Sequence, residues 1–433
     1  MSQLEQLYSL YRQHPEVTTD SRQAAPGKLY FALRGERFDG NRFALAALEA
    51  GCEAAVVDDA SLPCDPRLVR VENVLETLQQ LAALHRRTLG TPTLQITGTN
   101  GKTTTKELTA AVLSKGKRVL FTQGNLNNHI GVPLTLLRLR ADDEVAVVET
   151  GANHPGEIAF LSRIVAPDCG LITNVGTAHL AGFGSFEGVV QTKTELYRYL
   201  AAQPKGLVFL HIDNPHLRAA AEGLDTFTYG AAGSGAKVEG ELTGHGAFLA
   251  FRFRVDGGEW HAVQTQLVGA YNLANALAAI AVGTYFGIAP QAAVEALEAY
   301  RPTNNRSQWT KTEHNELIVD AYNANPTSMH AALSGFAAMA HAHKCLILGE
   351  MRELGEASAA EHAKVAAEAA STGAEMVWLV GDAFRPFAAE TGAQWFADVE
   401  AVKAHIAAQP PSDCLFLIKG SNGTRLYELP QLL

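Results

Sequence analysis

The chain has 433 residues, 47% of them hydrophobic and 18% charged, so it is long enough for about three globular domains with substantial cores. Its formal net charge of −10 argues against nucleic-acid binding as the main function. The five cysteines are scattered, which argues against a structural zinc or a disulfide framework. The first residues do not resemble a signal peptide and no apolar run reaches about eighteen residues, so we expect a cytoplasmic protein without membrane insertion.

The first part of the chain predicts a small α/β domain. Helices are predicted at 4–11 and 74–88, strands at 28–33 and 52–57, and Asn41 is predicted to cap a helix between the strands. Two polar loops contain Ser21, Arg22, Asp39 and Asn41. These residues could bind an anionic or sugar-bearing ligand, or could serve only as turn and cap residues.

A strand at Thr93–Thr97 is followed by a glycine-rich turn and then by a helical pattern from Lys106, with Leu108, Ala111 and Val112 at helical spacing and Gly116 as a stop. The turn is Gly98, Thr99, Asn100, Gly101, Lys102, Thr103 and Thr104. Backbone N–H groups, the helix dipole and the lysine favour a bound phosphate, and the hydroxyl of Thr103 can ligate Mg²⁺. The usual motif has four residues between its glycines, whereas this turn has two. The sequence therefore predicts a nucleotide-binding domain.

Polar residues also follow the next predicted strands. Asn127, Asn128 and His129 lie in one loop, which is typical either of a turn or of polar substrate recognition. Glu149 ends a strand at 144–148, and His179 follows another at 170–175. Because ligands of doubly wound sheets lie at the carboxyl ends of strands, we expect Glu149 and His179 near Lys102. An acid at that position suits a magnesium ion, whereas a histidine there could equally be structural.

Lys193 lies on the apolar stripe of a helix that starts after Ser185. The stripe consists of Phe186, Val189, Val190, Tyr197 and Leu200. A lysine on a buried face is costly unless its ammonium reaches solvent or a partner. Lys193 could extend along the helix to the surface, or it could point into the active site.

The last third predicts another α/β domain after a polar linker at 301–306. Four strands alternate with alanine-rich helices, which indicates a mostly parallel sheet. They are predicted at 316–319, 345–348, 376–380 and 414–418. The predicted fold is thus α/β with three domains: a small N-terminal domain at 1–88, a central P-loop ATPase domain with a mostly parallel sheet at 89–300, and a C-terminal Rossmann-like domain at 301–433.

These residues resemble the Mur ligase family of peptidoglycan synthesis, which uses the same short phosphate loop. The resemblance extends almost end to end. It rests on Asp20-Ser-Arg22 and on residues 98–103, 124–133, 149–158, 173–179, 320–326 and 348–355. One position departs from the pattern: Asn422 stands where relatives usually have arginine.

The resemblance implies a reaction and a set of roles. ATP would phosphorylate the terminal carboxylate of a UDP-N-acetylmuramoyl-tripeptide to an acyl phosphate, and the amine of D-alanyl-D-alanine would then attack it. The first domain would bind the UDP end, the second ATP and the third the dipeptide, in a monomer. Lys102, His179 and Lys193 would be catalytic, with Thr103, Glu149, His179 and a CO₂-derived carbamate on Lys193 holding Mg²⁺. Asn272 would contact adenine, Asp320 ribose and Arg306 phosphate. The substrate contacts would be Ser21, Arg22, Asp39, Asn41, Asn127, Asn128, His129, Tyr322 and Asn323.

Two alternatives stay open at this point. A folylpolyglutamate synthase shares the phosphate loop and the three-domain plan, although Ser21-Arg22 in the first domain argues against it. A nucleotide-dependent switch or binding module would need slow hydrolysis and a partner surface. That second alternative leaves His179 and Lys193 without a role.

Overall fold

The computed structural model describes residues 2–177, 180–244, 246–303 and 306–433. The predicted site residue His179 therefore lies outside the described residues. The helices are α1 Gln3–Gln13, α2 Ala44–Glu49, α3 Val74–Leu89, α4 Lys102–Leu113, α5 Gly131–Leu136, α6 Glu157–Val165, α7 Leu180–Phe183, α8 Phe186–Lys193, α9 Glu195–Ala201, α10 Pro215–Ala220, α11 Leu273–Tyr285, α12 Pro290–Ala299, α13 Pro326–Ala337, α14 Ser358–Ser371, α15 Arg385–Thr391 and α16 Val399–Ala408.

The first sheet confirms a small α/β unit at the N-terminus. Its strands are β1 Glu16–Thr18, β2 Lys28–Phe31, β5 Ala54–Val57 and β6 Leu68–Arg70, all parallel and in that order. A short hairpin of β3 Arg34–Gly35 and β4 Phe38–Asp39 interrupts the loop after β2. The prediction that Asn41 caps a helix is wrong. Asp39 caps a 3₁₀ turn by accepting from the N–H of Asn41, whose own amide group is buried against Asp58.

The central sheet positions the phosphate loop. Its strands in the described residues are β7 Thr93–Thr97, β8 Val119–Phe121, β9 Val145–Glu149, β10 Cys169–Ile172, β11 Leu207–His211, β12 Asp225–Ala231, β13 Val238–Leu242, β14 Phe248–Val255 and β15 His261–Val268. They follow the order β15-β14-β13-β12-β11-β10-β7-β9-β8, and only the β13–β14 and β14–β15 pairs are antiparallel. Strand β7, which precedes the phosphate loop, therefore lies in the parallel part of this sheet, between β10 and β9.

The third sheet is larger than the sequence predicted. In the described part of the chain it contains β16 Gln308–Lys311, β17 Glu316–Asp320, β18 Lys344–Gly349, β19 Met376–Val380, β20 Gln394–Phe396 and β21 Leu415–Lys419, in the order β16-β17-β21-β18-β19-β20. The four predicted strands form its parallel interior. The missed strands β16 and β20 are short edge strands, and an edge strand does not need a continuous apolar run.

The first two domains share one apolar core. Leu7 and Tyr11 of α1 and Leu81 of α3 pack in the same cluster as Val132 of α5 and Leu161 of α6. Because the members of that cluster are buried, apolar contact fixes the N-terminal domain against the central domain. Across the residues that the structure covers, we find no helix with the length and hydropathy needed to cross a membrane.

Candidate active site

The phosphate loop forms an open cradle between β7 and α4. Gly98 and Gly101 have φ values of +142° and +78°, and a Cβ on Gly98 would lie 2.1 Å from the hydroxyl of Thr173, so only glycine fits there. The backbone N–H of Asn100 donates to the side-chain oxygen of Asn174 at 3.0 Å, which ties the loop to the end of β10. A glycine-lined turn at a helix N-terminus is the arrangement that binds phosphate groups.

Lys102 lies within this cradle. Its Nζ donates to the carbonyl oxygens of Gly98 and Thr99 at 2.8 and 2.9 Å. Burial lowers the pKa of Lys102 to about 8, while Glu149 acts in the opposite direction and Arg306 adds to the lowering. Lys102, Glu149 and Arg306 line the same cavity, so Glu149 lies near Lys102, as the sequence predicted.

Glu149 has a free oxygen suited to a cation. Its Oε1 accepts from the Thr103 hydroxyl at 3.2 Å and from the Asn127 amide at 2.8 Å. Its Oε2 is buried and has no hydrogen-bond partner among the described residues. An unpaired buried carboxylate oxygen beside a threonine hydroxyl fits a hard divalent cation such as Mg²⁺, which prefers oxygen ligands. The described residues contain no group of three or more His, Cys, Asp or Glu side chains that could hold a metal.

Lys193 does not extend to solvent. It is 2% exposed, its Nζ donates to the carbonyl oxygen of Ala152 at 3.2 Å, and it lies 5.1 Å from the centre of the Phe183 ring. Burial, together with the smaller effect of the nearby Lys102 ammonium, lowers the pKa of Lys193 to about 7. The surface alternative is therefore wrong, whereas the orientation of Lys193 into the active site stays a prediction. The predicted single helix is divided into α8 and α9 at Thr194.

A cavity of about 1170 Å³ extends from the phosphate loop to the other two domains. Gln79 of α3 lines it from the N-terminal domain, and Lys419 at the end of β21 lines it from the C-terminal domain. The predicted residues among its lining are Thr99, Asn100, Gly101, Lys102, Thr104, Asn127, Asn128, His129, Glu149, Asn272, Arg306, Asp320, Tyr322 and Asn323. Residues of the central and C-terminal domains that the sequence predicts to bind nucleotide thus line one cavity.

The cavity wall formed by the third domain contains a buried ion pair. Nζ of Lys419 lies 2.5 Å from a carboxylate oxygen of Asp320, and Lys419 is 2% exposed. Nearby, the Arg306 guanidinium stacks 4.0 Å above the ring of Tyr322. Lys419 was not predicted from the sequence as a candidate site residue, although its place at the end of a parallel strand is a signal for one.

The side chain of Asn272 is hydrogen-bonded within the protein. Its side-chain oxygen accepts from the Asn275 amide at 2.8 Å, and its own amide donates to the carbonyl oxygen of Val268 at 2.9 Å. One amide hydrogen and one lone pair remain for a ligand. Asn275, which sequence reasoning also missed, contacts the loop helix through the Thr105 hydroxyl at 3.1 Å.

Two asparagine side chains join the phosphate loop to the third domain. The amide of Asn325 donates to Asn100 at 2.7 Å, and the amide of Asn100 donates to Asn325 at 3.3 Å. Asn325 also caps α13, so the loop is bonded to a helix start. The sequence analysis did not predict this contact because its partners are 225 positions apart.

The other predicted substrate residues differ in whether they line the large cavity. Asn128 accepts from the N–H groups of Ile130 and Gly131, so its oxygen supports the start of α5. Ser21, Arg22, Asp39 and Asn41 do not line the large cavity. Ser21 and Arg22 lie in a 3₁₀ turn after β1, where Arg22 is paired with Asp20 at 2.8 Å, and Asp39 and Asn41 lie at the end of β4 and in the turn that follows it. Their binding roles remain predictions.

Comparison with known proteins agrees with this geometry. Family models described as the Mur ligase family catalytic domain, the Mur ligase middle domain and the Mur ligase glutamate ligase domain match residues 15–86, 96–283 and 305–422. The chain belongs to the Mur ligase family. Its similar relatives include the UDP-N-acetylmuramoyl-tripeptide–D-alanyl-D-alanine ligases of Bacillus subtilis and Escherichia coli, each 36% identical. The alignments cover 95% of this chain and 92% of the Bacillus protein, and 96% and 93% for the Escherichia protein.

A solved structure supports the fold over the whole length. The crystal structure of MurF from Acinetobacter baumannii superposes with a TM-score of 0.84 and is 32% identical, covering 99% of this chain and 97% of that one. The predicted three-domain α/β fold is therefore confirmed. The domain limits at 88/89 and 300/301 remain predictions.

Proposed function

We propose that the protein is an ATP-dependent ligase that joins D-alanyl-D-alanine to the terminal carboxylate of a UDP-N-acetylmuramoyl-tripeptide in the cytoplasm. The observation that carries this proposal is the shared cavity, where Lys102 and Glu149 face Arg306 and Asp320 of the third domain. Relatives with this named activity match nearly the full chain. The alternative of a folylpolyglutamate synthase has no comparable support.

The chemistry proceeds in two displacements. A carboxylate oxygen of the tripeptide attacks the γ-phosphorus of ATP, the bond to the bridging oxygen breaks, and ADP leaves. The dipeptide amine nitrogen then attacks the carbonyl carbon of the acyl phosphate and loses a proton, and inorganic phosphate leaves with the former carboxylate oxygen. Two anions meet in the first step, so their repulsion must be neutralised in a site shielded from water.

Several groups at and near the phosphate loop would have a role in that neutralisation. The loop N–H groups and Lys102 hold the phosphates, while Thr103 and Glu149 offer oxygens to Mg²⁺. The bound metal supplies positive charge to the transferring phosphoryl group. The low pKa of Lys193 favours the neutral amine that reacts with CO₂, so we extend the proposal to a carbamate at this position. His179 would complete the metal ligands.

Each of the three domains would bind a different substrate. The N-terminal domain, with the loops of Ser21, Arg22, Asp39 and Asn41, would bind the UDP end, and the central domain would bind ATP. The C-terminal domain would receive the dipeptide near Tyr322 and Asn323, which line the cavity. Asn127, Asn128 and His129 also line the cavity and would contact the peptide.

Product analysis tests the proposed function. The purified chain is supplied with ATP, Mg²⁺, D-alanyl-D-alanine and a UDP-muramoyl-tripeptide with either diaminopimelate or lysine at residue three. Mass spectrometry should detect a UDP-muramoyl-pentapeptide together with ADP and phosphate. Hydrolysis of ATP without an amide product, or turnover that responds to a folate and not to the muropeptide, would contradict the proposal.

A prediction for the third domain concerns Asp320. Replacing it by alanine should raise the Michaelis constant for ATP about tenfold with a smaller change in kcat, because a ribose contact binds ground and transition states alike. Steady-state kinetics at varied ATP measure this. The exposed Asp382 provides the control, and Asp382→Ala should resemble the parent. An unchanged ATP dependence in Asp320→Ala would remove this residue from the nucleotide site.

A further inference from the structure

Lys106 is a buried lysine that the proposed chemistry does not use. It lies on α4, one turn after Lys102, and its side chain has no solvent exposure. Its Nζ donates to the carbonyl oxygen of Thr122 at 2.6 Å and lies 2.8 Å from a carboxylate oxygen of Glu107. Removing an ammonium from water is costly, and an apolar side chain of similar size would avoid that cost. A specific role of this lysine should therefore be visible in its contacts.

The partner of Lys106 leads directly to Glu149. Thr122 is fully buried and follows β8 immediately. Its N–H donates to the carbonyl oxygen of Val147 at 3.1 Å, and its hydroxyl accepts from the N–H of Glu149 at 3.0 Å. The position of Thr122 therefore sets the backbone of the residue whose free oxygen faces the proposed cation.

Thr122 also begins the segment that leads to Asn127. The amide of Asn127 donates to Oε1 of Glu149 at 2.8 Å, and its carbonyl oxygen accepts from the N–H of Gly151 at 2.8 Å. Thr122 thus holds the backbone of Glu149, and Asn127 holds its carboxylate. Both residues belong to the segment that follows β8.

We infer that Lys106 is a positioning residue for the cation-binding pair Thr103 and Glu149. Thr103 lies on α4, and Glu149 is held by Thr122. Lys106 bonds α4, which carries Thr103, to Thr122 at the end of β8. The lysine therefore fixes the separation of the two oxygen ligands, Thr103 and Glu149. The inference rests on the proposed function, because it takes Mg²⁺-ATP as the ligand. Loss of an outer contact to a metal ligand commonly costs 10- to 100-fold in metal affinity.

The test compares Mn²⁺ affinity in the presence of ADP, measured by electron paramagnetic resonance, in four full-length variants. Lys106→Met should bind Mn²⁺ about 10- to 100-fold more weakly than the parent and should need correspondingly more Mg²⁺ for half-maximal ligation. Thr122→Val, which lacks the accepting hydroxyl, should weaken Mn²⁺ binding in the same direction, and Thr122→Ser should restore it. Lys115→Met, at a partly exposed lysine just after α4, should match the parent.

Thermal unfolding of each variant separates positioning from stability. A folded Lys106→Met that binds Mn²⁺ like the parent would overturn the inference and leave the lysine with a structural role. If Lys106→Met does not fold, the Thr122 variants decide: equal Mn²⁺ affinity of the valine and serine forms would overturn it. Failure of the parent to form an amide product would count against the proposed function, whereas an unchanged Mn²⁺ affinity in a product-forming Lys106→Met counts only against the role of Lys106.

Discussion

Replacing Lys102 by alanine should reduce the ligation rate by roughly a thousandfold and weaken ATP binding. Its Nζ is fixed by the carbonyl oxygens of Gly98 and Thr99, inside the loop that would surround the phosphates. Without the lysine, the negative charge that develops on the transferred phosphoryl group would no longer be stabilised by a cation held in place. Initial rates of product formation and calorimetric titration with ADP measure the two effects.

The control for Lys102 is a lysine beyond the other end of the same helix. Lys117 follows α4 and is paired with Glu144 at a partly exposed position, so Lys117→Ala should keep the parent rate. Thermal unfolding of both variants shows whether the fold is retained. Turnover of Lys102→Ala near the parent value would remove the phosphate loop from the active site.

The second large effect is expected at Lys193. Lys193→Ala should be nearly inactive, and a small carboxylate such as acetate or formate should restore part of the activity by replacing the proposed carbamate. Because the pKa of Lys193 is lowered to about 7, the neutral amine predominates above that pH and is lost below it. The carbamate, and with it bicarbonate-dependent activity, should therefore increase as pH rises through about 7.

A matched control and a structural measurement accompany the Lys193 variant. The exposed Lys205→Ala should retain full activity and gain nothing from acetate. If Lys193 acts instead as an ammonium that contacts phosphate, carboxylates will not rescue the alanine variant. A crystal structure with nucleotide, Mg²⁺ and bicarbonate that shows a free Lys193 amine would contradict the carbamate.

Local sequence signals predicted the central part of the site well. The strand Thr93–Thr97 has the bounds that its β-branched and apolar residues indicate, whereas α4 begins at Lys102, one turn before the helical pattern that the sequence indicates from Lys106. Glu149 lies near Lys102 because the carboxyl ends of neighbouring parallel strands meet at one edge. Lys193 was recognisable because a charged residue interrupted an otherwise apolar helical face.

Contacts between distant parts of the chain could not be predicted in this way. Asn100 bonds to Asn325, and Asn275 approaches the glycine turn, yet neither partner has an unusual local pattern. Lys106 follows the phosphate loop in sequence, but only the fold shows that its ammonium reaches Thr122. Asn41 was misassigned as a cap because Asp39, two residues earlier, competes for the same role and accepts the bond.

The measurement that tests the central claim most directly is isotope transfer from the tripeptide. Its terminal carboxylate is labelled with ¹⁸O, and the ligation with ATP and D-alanyl-D-alanine is followed by mass spectrometry of all products. Attack of that carboxylate on the γ-phosphorus predicts that each phosphate released carries one ¹⁸O atom, formed together with the pentapeptide and ADP. Label in AMP, or unlabelled phosphate alongside the amide product, would contradict the acyl-phosphate route.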